Sequence, residues 1–102
     1  MQIFNYKFKK AAIQDLIGIV EHLNGYSPQT AAKYYGLIHE KAKALTSFPM
    51  ARPLVRDERL RALGIRWTFA NNYMIFFSVD EKNSLVLIER IRFARMEHDT
   101  II

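Results

Sequence analysis

The residues Arg66–Glu97, RWTFANNYMIFFSVDEKNSLVLIERIRFARME, decide the fold, because apolar and polar side chains alternate along three successive runs. Asn71 and Asn72 separate the first two runs, and the polar residues 80–83 separate the last two. Asparagine tolerates a positive φ, so a two-residue hairpin turn is expected at the first break. The stretch therefore predicts three antiparallel strands joined by two tight turns.

The alternation also predicts which side chains share a face of each strand. In the middle strand, one face is expected to hold Tyr73, Ile75, Phe77 and Val79, and the other Met74, Phe76 and Ser78. In the last strand, one face is expected to hold Leu85, Leu87, Ile91 and Phe93, and the other Val86, Ile88, Arg90 and Arg92. In the first strand, Trp67 shares a face with Ile65 and Phe69. We expect that face to pack beneath helices, with Trp67 in a structural role.

The first half of the chain has one short strand pattern and then two helical patterns. Residues 2–8, QIFNYKF, alternate so that Phe4, Tyr6 and Phe8 would share a face. The first helix, residues 11–23, carries apolar side chains at positions 13, 16, 17, 20 and 23. The second begins with Ser27 as N-cap, continues with Pro28 and runs to about residue 47. Its apolar stripe comprises Ala31, Tyr35, Ile38, Ala42 and Leu45.

The order of these elements predicts an α+β fold, β-α-α-β-β-β, in which a helical hairpin packs on one face of an antiparallel sheet. Residues 50–64, MARPLVRDERLRALG, are charged and interrupted by proline, so we expect a loop that leads into the three strands. No linker or repeat divides the sequence. Residues 1–102 are therefore expected to form a single domain.

The composition favours a cytoplasmic protein. The chain has no cysteine, which suits a reducing compartment. Three lysines precede an apolar stretch near the N-terminus, but Gln14 and Asp15 interrupt that stretch early. We therefore expect neither a signal peptide nor a membrane span.

The arginines are concentrated in the second half of the chain. The formal net charge is +5, and all eight arginines follow residue 50, whereas six of the seven lysines precede it. A planar guanidinium suits phosphate and carboxylate groups. We expect Arg66, Arg90 and Arg92 to share the open face of the sheet, opposite the helices. This face and the sheet edge are expected to bind an amphipathic, acidic segment of a partner protein.

Motifs for cofactor or metal chemistry are absent from the sequence. There is no glycine-rich phosphate loop, no Ser/His/Asp constellation and no metal-ligand spacing, so no cofactor and no metal are expected. His22 and His39 lie on the expected helices and are interpreted as ordinary surface or boundary residues. His98 differs, because it follows Arg95 closely after the last strand.

Three segments together resemble the RelE/ParE toxin superfamily, the toxins of bacterial type II toxin–antitoxin pairs. Residues 31–49, AAKYYGLIHEKAKALTSFP, resemble its run of small and aromatic residues that ends in Phe-Pro. Residues 52–81, RPLVRDERLRALGIRWTFANNYMIFFSVDE, resemble its Arg-Pro, its Leu-Arg strand and its tyrosine-led apolar strand. Residues 86–97, VLIERIRFARME, resemble its closing strand. The resemblance covers nearly the whole chain and implies the same order of elements.

The superfamily has two branches, and the resemblance implies a different activity for each. RelE-like members are implied to cleave mRNA in the ribosome, and ParE-like members to poison DNA gyrase without hydrolysis. RelE-like sites commonly have arginine after the tyrosine of the third strand, where this chain has Met74. Phe93 stands where histidine is common, and Met96 where a second arginine is common. Gyrase inhibition is therefore favoured, with a RelE-like endoribonuclease as the alternative and a non-toxic basic binding module as a third hypothesis.

The resemblance also implies a partner and a set of site residues. The partner is a cognate antitoxin in a toxin–antitoxin hetero-oligomer, and the target is gyrase or the ribosome with its mRNA. For a metal-independent nuclease, the candidate catalytic residues are Arg66, Arg92, Arg95 and His98. Arginines would stabilise the phosphorane, and Arg95 or His98 would transfer protons. The residues expected to bind the target or the antitoxin are Arg61, Arg66, Tyr73, Arg90, Arg92 and Arg95.

Overall fold

A computed structural model describes residues 3–94 as an α+β fold, as the sequence predicts. The elements in chain order are β1 Asn5–Phe8, α1 Lys10–Asn24, α2 Pro28–Ala44, a 3-10 turn Pro49–Ala51, α3 Glu58–Ala62, β2 Arg66–Ala70, β3 Tyr73–Asp80 and β4 Leu85–Phe93. The side chain of Ser27 caps α2 by accepting a hydrogen bond from the backbone N–H of Thr30 at 3.3 Å. Asn71, in the turn between β2 and β3, has the positive φ that this hairpin needs.

The four strands form one mixed sheet in the order β1-β4-β3-β2. The pairs β2–β3 and β3–β4 are antiparallel, as expected, but β1 pairs with β4 in parallel. The prediction of a wholly antiparallel sheet was wrong for β1. A two-residue period is the same in parallel and antiparallel strands, and only a short hairpin connection fixes the direction. The long connection that follows β1 does not determine the direction in which β1 pairs.

The main core lies between the sheet and the two long helices. Its sheet side includes Tyr73, Ile75 and Phe77 of β3, which confirms the expected face of that strand. From β2 it takes Ala70, whereas Trp67 pairs with Phe76 on the opposite face. The expectation that Trp67 packs beneath the helical hairpin was therefore wrong. Alternation separates the two faces of a strand, but it does not say which one meets the helices when both are partly covered.

A second, smaller core lies on the sheet face opposite the long helices, here called the open face. It consists of Val55, Leu60, Ile65 and Phe76, with Trp67 and Met74 packed against it. The segment expected to be a loop supplies this cover, because it contains α3. The Asp57 side chain caps α3 by accepting from the backbone N–H of Leu60 at 3.0 Å. Gly64 ends the turn with a φ of +77°, which favours glycine.

A β-bulge in β4 reverses its alternation. Phe77 pairs with Ile88 but Phe76 pairs with Arg90, so Glu89 is the additional residue. As a result Ile88 and Ile91, three positions apart, both belong to the main core. The expectation that Leu85, Leu87, Ile91 and Phe93 share one face was wrong for this reason.

Candidate functional site

An apolar groove, here called the helical groove, is formed by residues of α1, α2 and β1. It encloses about 620 Å³ and is lined by Lys7, Phe8, Ile13, Leu16, Ile17, Val20, Glu21, Tyr35 and His39. Ile13, Ile17 and Tyr35 are 46%, 52% and 50% exposed, although the helical spacing predicts that they face the core. An exposed apolar surface of this kind is typical of a site that a partner covers.

His39 lies in the wall of this helical groove. Its Nδ1 atom is 3.5 Å from the hydroxyl oxygen of Tyr6. Its ring centroid lies 4.9 Å from that of Phe8 and 4.7 Å from that of Tyr35. His39 is therefore a partly buried residue at the boundary of the core, in contact with an aromatic cluster that the sequence pattern did not indicate.

One sequence signal could have found the groove. A helix that packs on one sheet needs an apolar stripe about 100° wide. In α1 the apolar set extends well beyond that width, because Ala12 and Leu16 already fill the buried side while Ile13 and Ile17 lie next to them. The extra apolar width therefore indicates a second surface to be covered.

The open face carries less positive charge than the arginine pattern suggests. Near its centre the Glu89 carboxylate accepts a hydrogen bond from the Ser78 hydroxyl at 2.7 Å. The same carboxylate forms an ion pair with Lys9 at 3.0 Å. Arg92 lies opposite Met74 on this face. Within residues 3–94 no acceptor reaches the buried Nε atom of Arg92.

Arg66 does not lie on the open face, contrary to the sequence expectation. In the β2–β3 register it is opposite Phe77, which faces the helices. Its Nη1 atom donates to the carbonyl oxygens of Arg52 at 2.6 Å and of Met50 at 3.3 Å. Arg66 therefore fixes the chain that follows α2.

Arg90 is bound to α1. Its Nε and Nη2 atoms donate to the two carboxylate oxygens of Asp15 at 2.8 Å and 3.0 Å. The backbone N–H of Ile91 donates to the same carboxylate at 3.0 Å. The side-chain hydrogen bonds to Asp15 raise the pKa of Arg90. Its position in the β4 register is on the open face, but its side chain joins the sheet to α1.

Of the expected site residues, Tyr73 and Arg92 line one hollow beside α1, together with Asp15 and His22. Tyr73 is buried between the rings of Tyr34 and Phe93, with both centroids 5.6 Å away. Burial, followed by the charge of Tyr34, raises the pKa of the Tyr73 phenol. Arg61 is exposed on α3. Arg95 and His98 lie outside the described residues.

The model of the family described as the ParE toxin of type II toxin–antitoxin systems matches residues 6–98. The chain belongs to the ParE toxin family. No curated protein matches this ParE-family chain in sequence.

Solved toxin–antitoxin structures share the fold of this ParE-family chain. The chromosomal ParDE toxin–antitoxin system from P. aeruginosa has a chain that is 21% identical with a TM-score of 0.75, covering 93% of this chain and 100% of that one. A RelBE toxin–antitoxin complex from Mycobacterium tuberculosis has a chain that is 19% identical with a TM-score of 0.62, covering 89% of this chain and 98% of that one.

The chemistry available to this ParE-family protein follows from these positions. Arg66 and Arg92 lie in strands on either side of β3; Arg66 contacts the chain that follows α2, whereas Arg92 lines a hollow beside α1. Among the described residues, no three His, Asp or Glu side chains group as metal ligands. Within the same residues, no helix is long and apolar enough to cross a membrane. The described surface is suited to protein contacts through the helical groove.

Proposed function

We propose that this ParE-family protein is a growth-inhibiting toxin that blocks DNA gyrase without cleaving nucleic acid. The observation that carries the proposal is the separation of Arg66 from Arg92. Cleavage by a 2′-hydroxyl needs cations and proton-transfer groups around one phosphate. The carbonyl contacts of Arg66 hold its guanidinium against the chain that follows α2, whereas Arg92 lines the hollow beside α1. Met74, in place of the arginine common in RelE-like sites, supports the same choice.

A cognate antitoxin holds the toxin inactive by covering the helical groove. The groove is apolar along α1 and α2, and Lys7 lies at its edge. With a net charge of +5, the protein suits an amphipathic helix that has an acidic flank. Such a helix would place apolar anchors at i, i+3, i+4 and i+7 between Ile13 and Tyr35.

The target is tested by inducing the protein without its antitoxin. We expect growth arrest, intact cellular mRNA and inhibition of supercoiling by purified gyrase. Cleaved mRNA with normal supercoiling would instead support the RelE-like alternative. A folded, harmless protein that binds no partner would support the basic binding module.

We also expect Arg95→Ala to relieve the arrest without unfolding the protein, and full arrest in that variant would remove Arg95 from the site.

The antitoxin surface is tested by a charge placed in the groove. Ile17→Asp should leave the fold intact, because the side chain is half exposed. It should weaken capture of the protein encoded beside the toxin gene by at least tenfold. Leu63→Asp is the matched control, since Leu63 is 61% exposed at the C-cap of α3 and does not line the helical groove. Equal capture by both variants would show that the antitoxin binds elsewhere.

A further inference from the structure

A second apolar surface lies where the chain leaves α2. A hollow of about 440 Å³ is lined by Phe4, Ser47, Phe48, Pro49, Met50, Ala51 and Glu81. Phe48 is 69% exposed and Met50 is 47% exposed. This loop hollow shares no lining residue with the helical groove. It is therefore a separate surface.

The exposed side chains of the loop hollow are held in place. Pro49 is buried, and the backbone N–H of Ala51 donates to the carbonyl oxygen of Phe48 at 3.1 Å. The Arg66 guanidinium closes the next turn by donating to the carbonyl oxygens of Met50 and Arg52. A fixed loop loses little conformational entropy on binding, so its exposed side chains bind more tightly than those of a mobile loop.

We propose that the loop hollow is the surface through which the toxin binds its target, and that the target contributes an acidic protein segment with an apolar anchor. This inference rests on the proposed toxin function. Phe, Met and Arg are enriched in protein–protein interface cores. The exposed cations Lys43 and Arg52 flank the loop and complement acidic side chains.

A nucleic acid fits the loop hollow less well. Among the described residues that line it there is no lysine or arginine, and Glu81 contributes a carboxylate. A phosphate would therefore find no cation in the lining, whereas an apolar side chain would meet Phe48, Pro49 and Met50. The acidic side chains of the proposed segment would lie outside the hollow, toward Lys43 and Arg52. Arg66 acts here as a positioning residue, because it holds the backbone carbonyls and does not line the hollow.

The first test measures growth arrest by Phe48→Ser in cells without antitoxin. We expect at least a tenfold loss of arrest, an unchanged melting temperature and unchanged capture by the antitoxin. Tyr26→Ser is the matched control, because Tyr26 is an equally accessible aromatic residue, 78% exposed, in the turn between α1 and α2. Full arrest by folded Phe48→Ser would overturn the proposal, and so would loss of antitoxin capture.

The second test separates the loop hollow from the toxin function itself and uses purified gyrase and total mRNA as probes. A wild-type protein that causes no arrest would refute the proposed function and this inference with it. If Phe48→Ser no longer inhibits gyrase, the result supports binding of a protein target by the loop hollow. If wild type cleaves mRNA and Phe48→Ser loses only that cleavage, the proposal is overturned. Arg66→Met should reduce growth arrest as Phe48→Ser does, although the Phe48 side chain itself is kept. If Arg66→Met folds and arrests growth fully, the positioning role is refuted.

Discussion

The carboxylate of Asp15 joins α1 to the end of β4, and its removal gives the sharpest test of the packing. It accepts two hydrogen bonds from Arg90 and one from the backbone N–H of Ile91, at 2.8–3.0 Å. The side chains of Arg90 and Asp15 are only 24% and 15% exposed. Breaking a buried pair by removing one partner costs about 3–5 kcal/mol, because the other charge is left unpaired. Residual water access places Asp15→Ala near the lower limit, at about 3 kcal/mol.

The measurement is the free energy of unfolding from urea titration, with the melting temperature as a second readout. For a domain of this size, about 3 kcal/mol corresponds to a decrease of roughly 12 °C or more. Asp15→Asn keeps an acceptor for Ile91 and should lose only about half as much. Glu21→Ala, an exposed acidic residue on the same helix, should stay within about 0.5 kcal/mol. A double-mutant cycle of Asp15→Ala with Arg90→Met should give a coupling energy above about 1 kcal/mol, and additivity would refute the reasoning.

Three further predictions follow from local geometry. Trp67→Ala should lower the free energy of unfolding in urea by about 2 kcal/mol, because Trp67 is only partly covered by the smaller core. A loss of roughly 3–5 kcal/mol, as for a fully buried tryptophan, would contradict this placement. Gly64→Ala should lower the free energy of unfolding by about 1 kcal/mol, because an alanine is strained at a φ of +77°. The added Cβ meets no atom within 4 Å, so no steric clash contributes, and an unchanged free energy of unfolding would contradict the backbone strain. The side chain of Asn83, and to a smaller extent its backbone N–H, donate hydrogen bonds to Asp80 and lower the pKa of that carboxyl. Asp80 therefore stabilises the fold at a pH above 3.8, its ordinary pKa, and this contribution is lost as the pH falls through the lowered pKa. Asn83→Ala removes the side-chain donor and should raise the pKa of Asp80 in a carboxyl titration followed by NMR; an unmoved titration would show that this side-chain hydrogen bond is absent in solution.

The sequence predicted those features that local chemistry determines. The alternation of β3 placed Tyr73, Ile75 and Phe77 in the core because their shared face is buried along the whole strand. The Ser27 cap and the Asn71 turn were predictable because each depends on one or two neighbouring residues. The three quoted segments identified the superfamily, and the family match over residues 6–98 confirmed it.

The features that pattern alone missed depend on contacts between distant segments. The bulge at Glu89 is accompanied by the contact of Arg90 with Asp15, 75 residues earlier, and no period within β4 contains that information. The face of Trp67 was inverted because α3 covers the open face, so both sides of β2 have an apolar neighbour. The role of Arg66 also needed the structure, since its acceptors are carbonyl oxygens about 15 residues earlier in the chain.

The parallel pairing of β1 with β4 determines when during synthesis a folded toxin exists. Asn5 pairs with Leu85, so the sheet is completed only when segments about 80 residues apart come together. The loss of chain entropy on closing that loop therefore occurs late in folding. Before β4 leaves the ribosome, Asp15 lacks Arg90 and β1 has no neighbour in the sheet. The order of synthesis therefore delays native packing until the last strand arrives, and a message cut before Leu85 yields no native toxin.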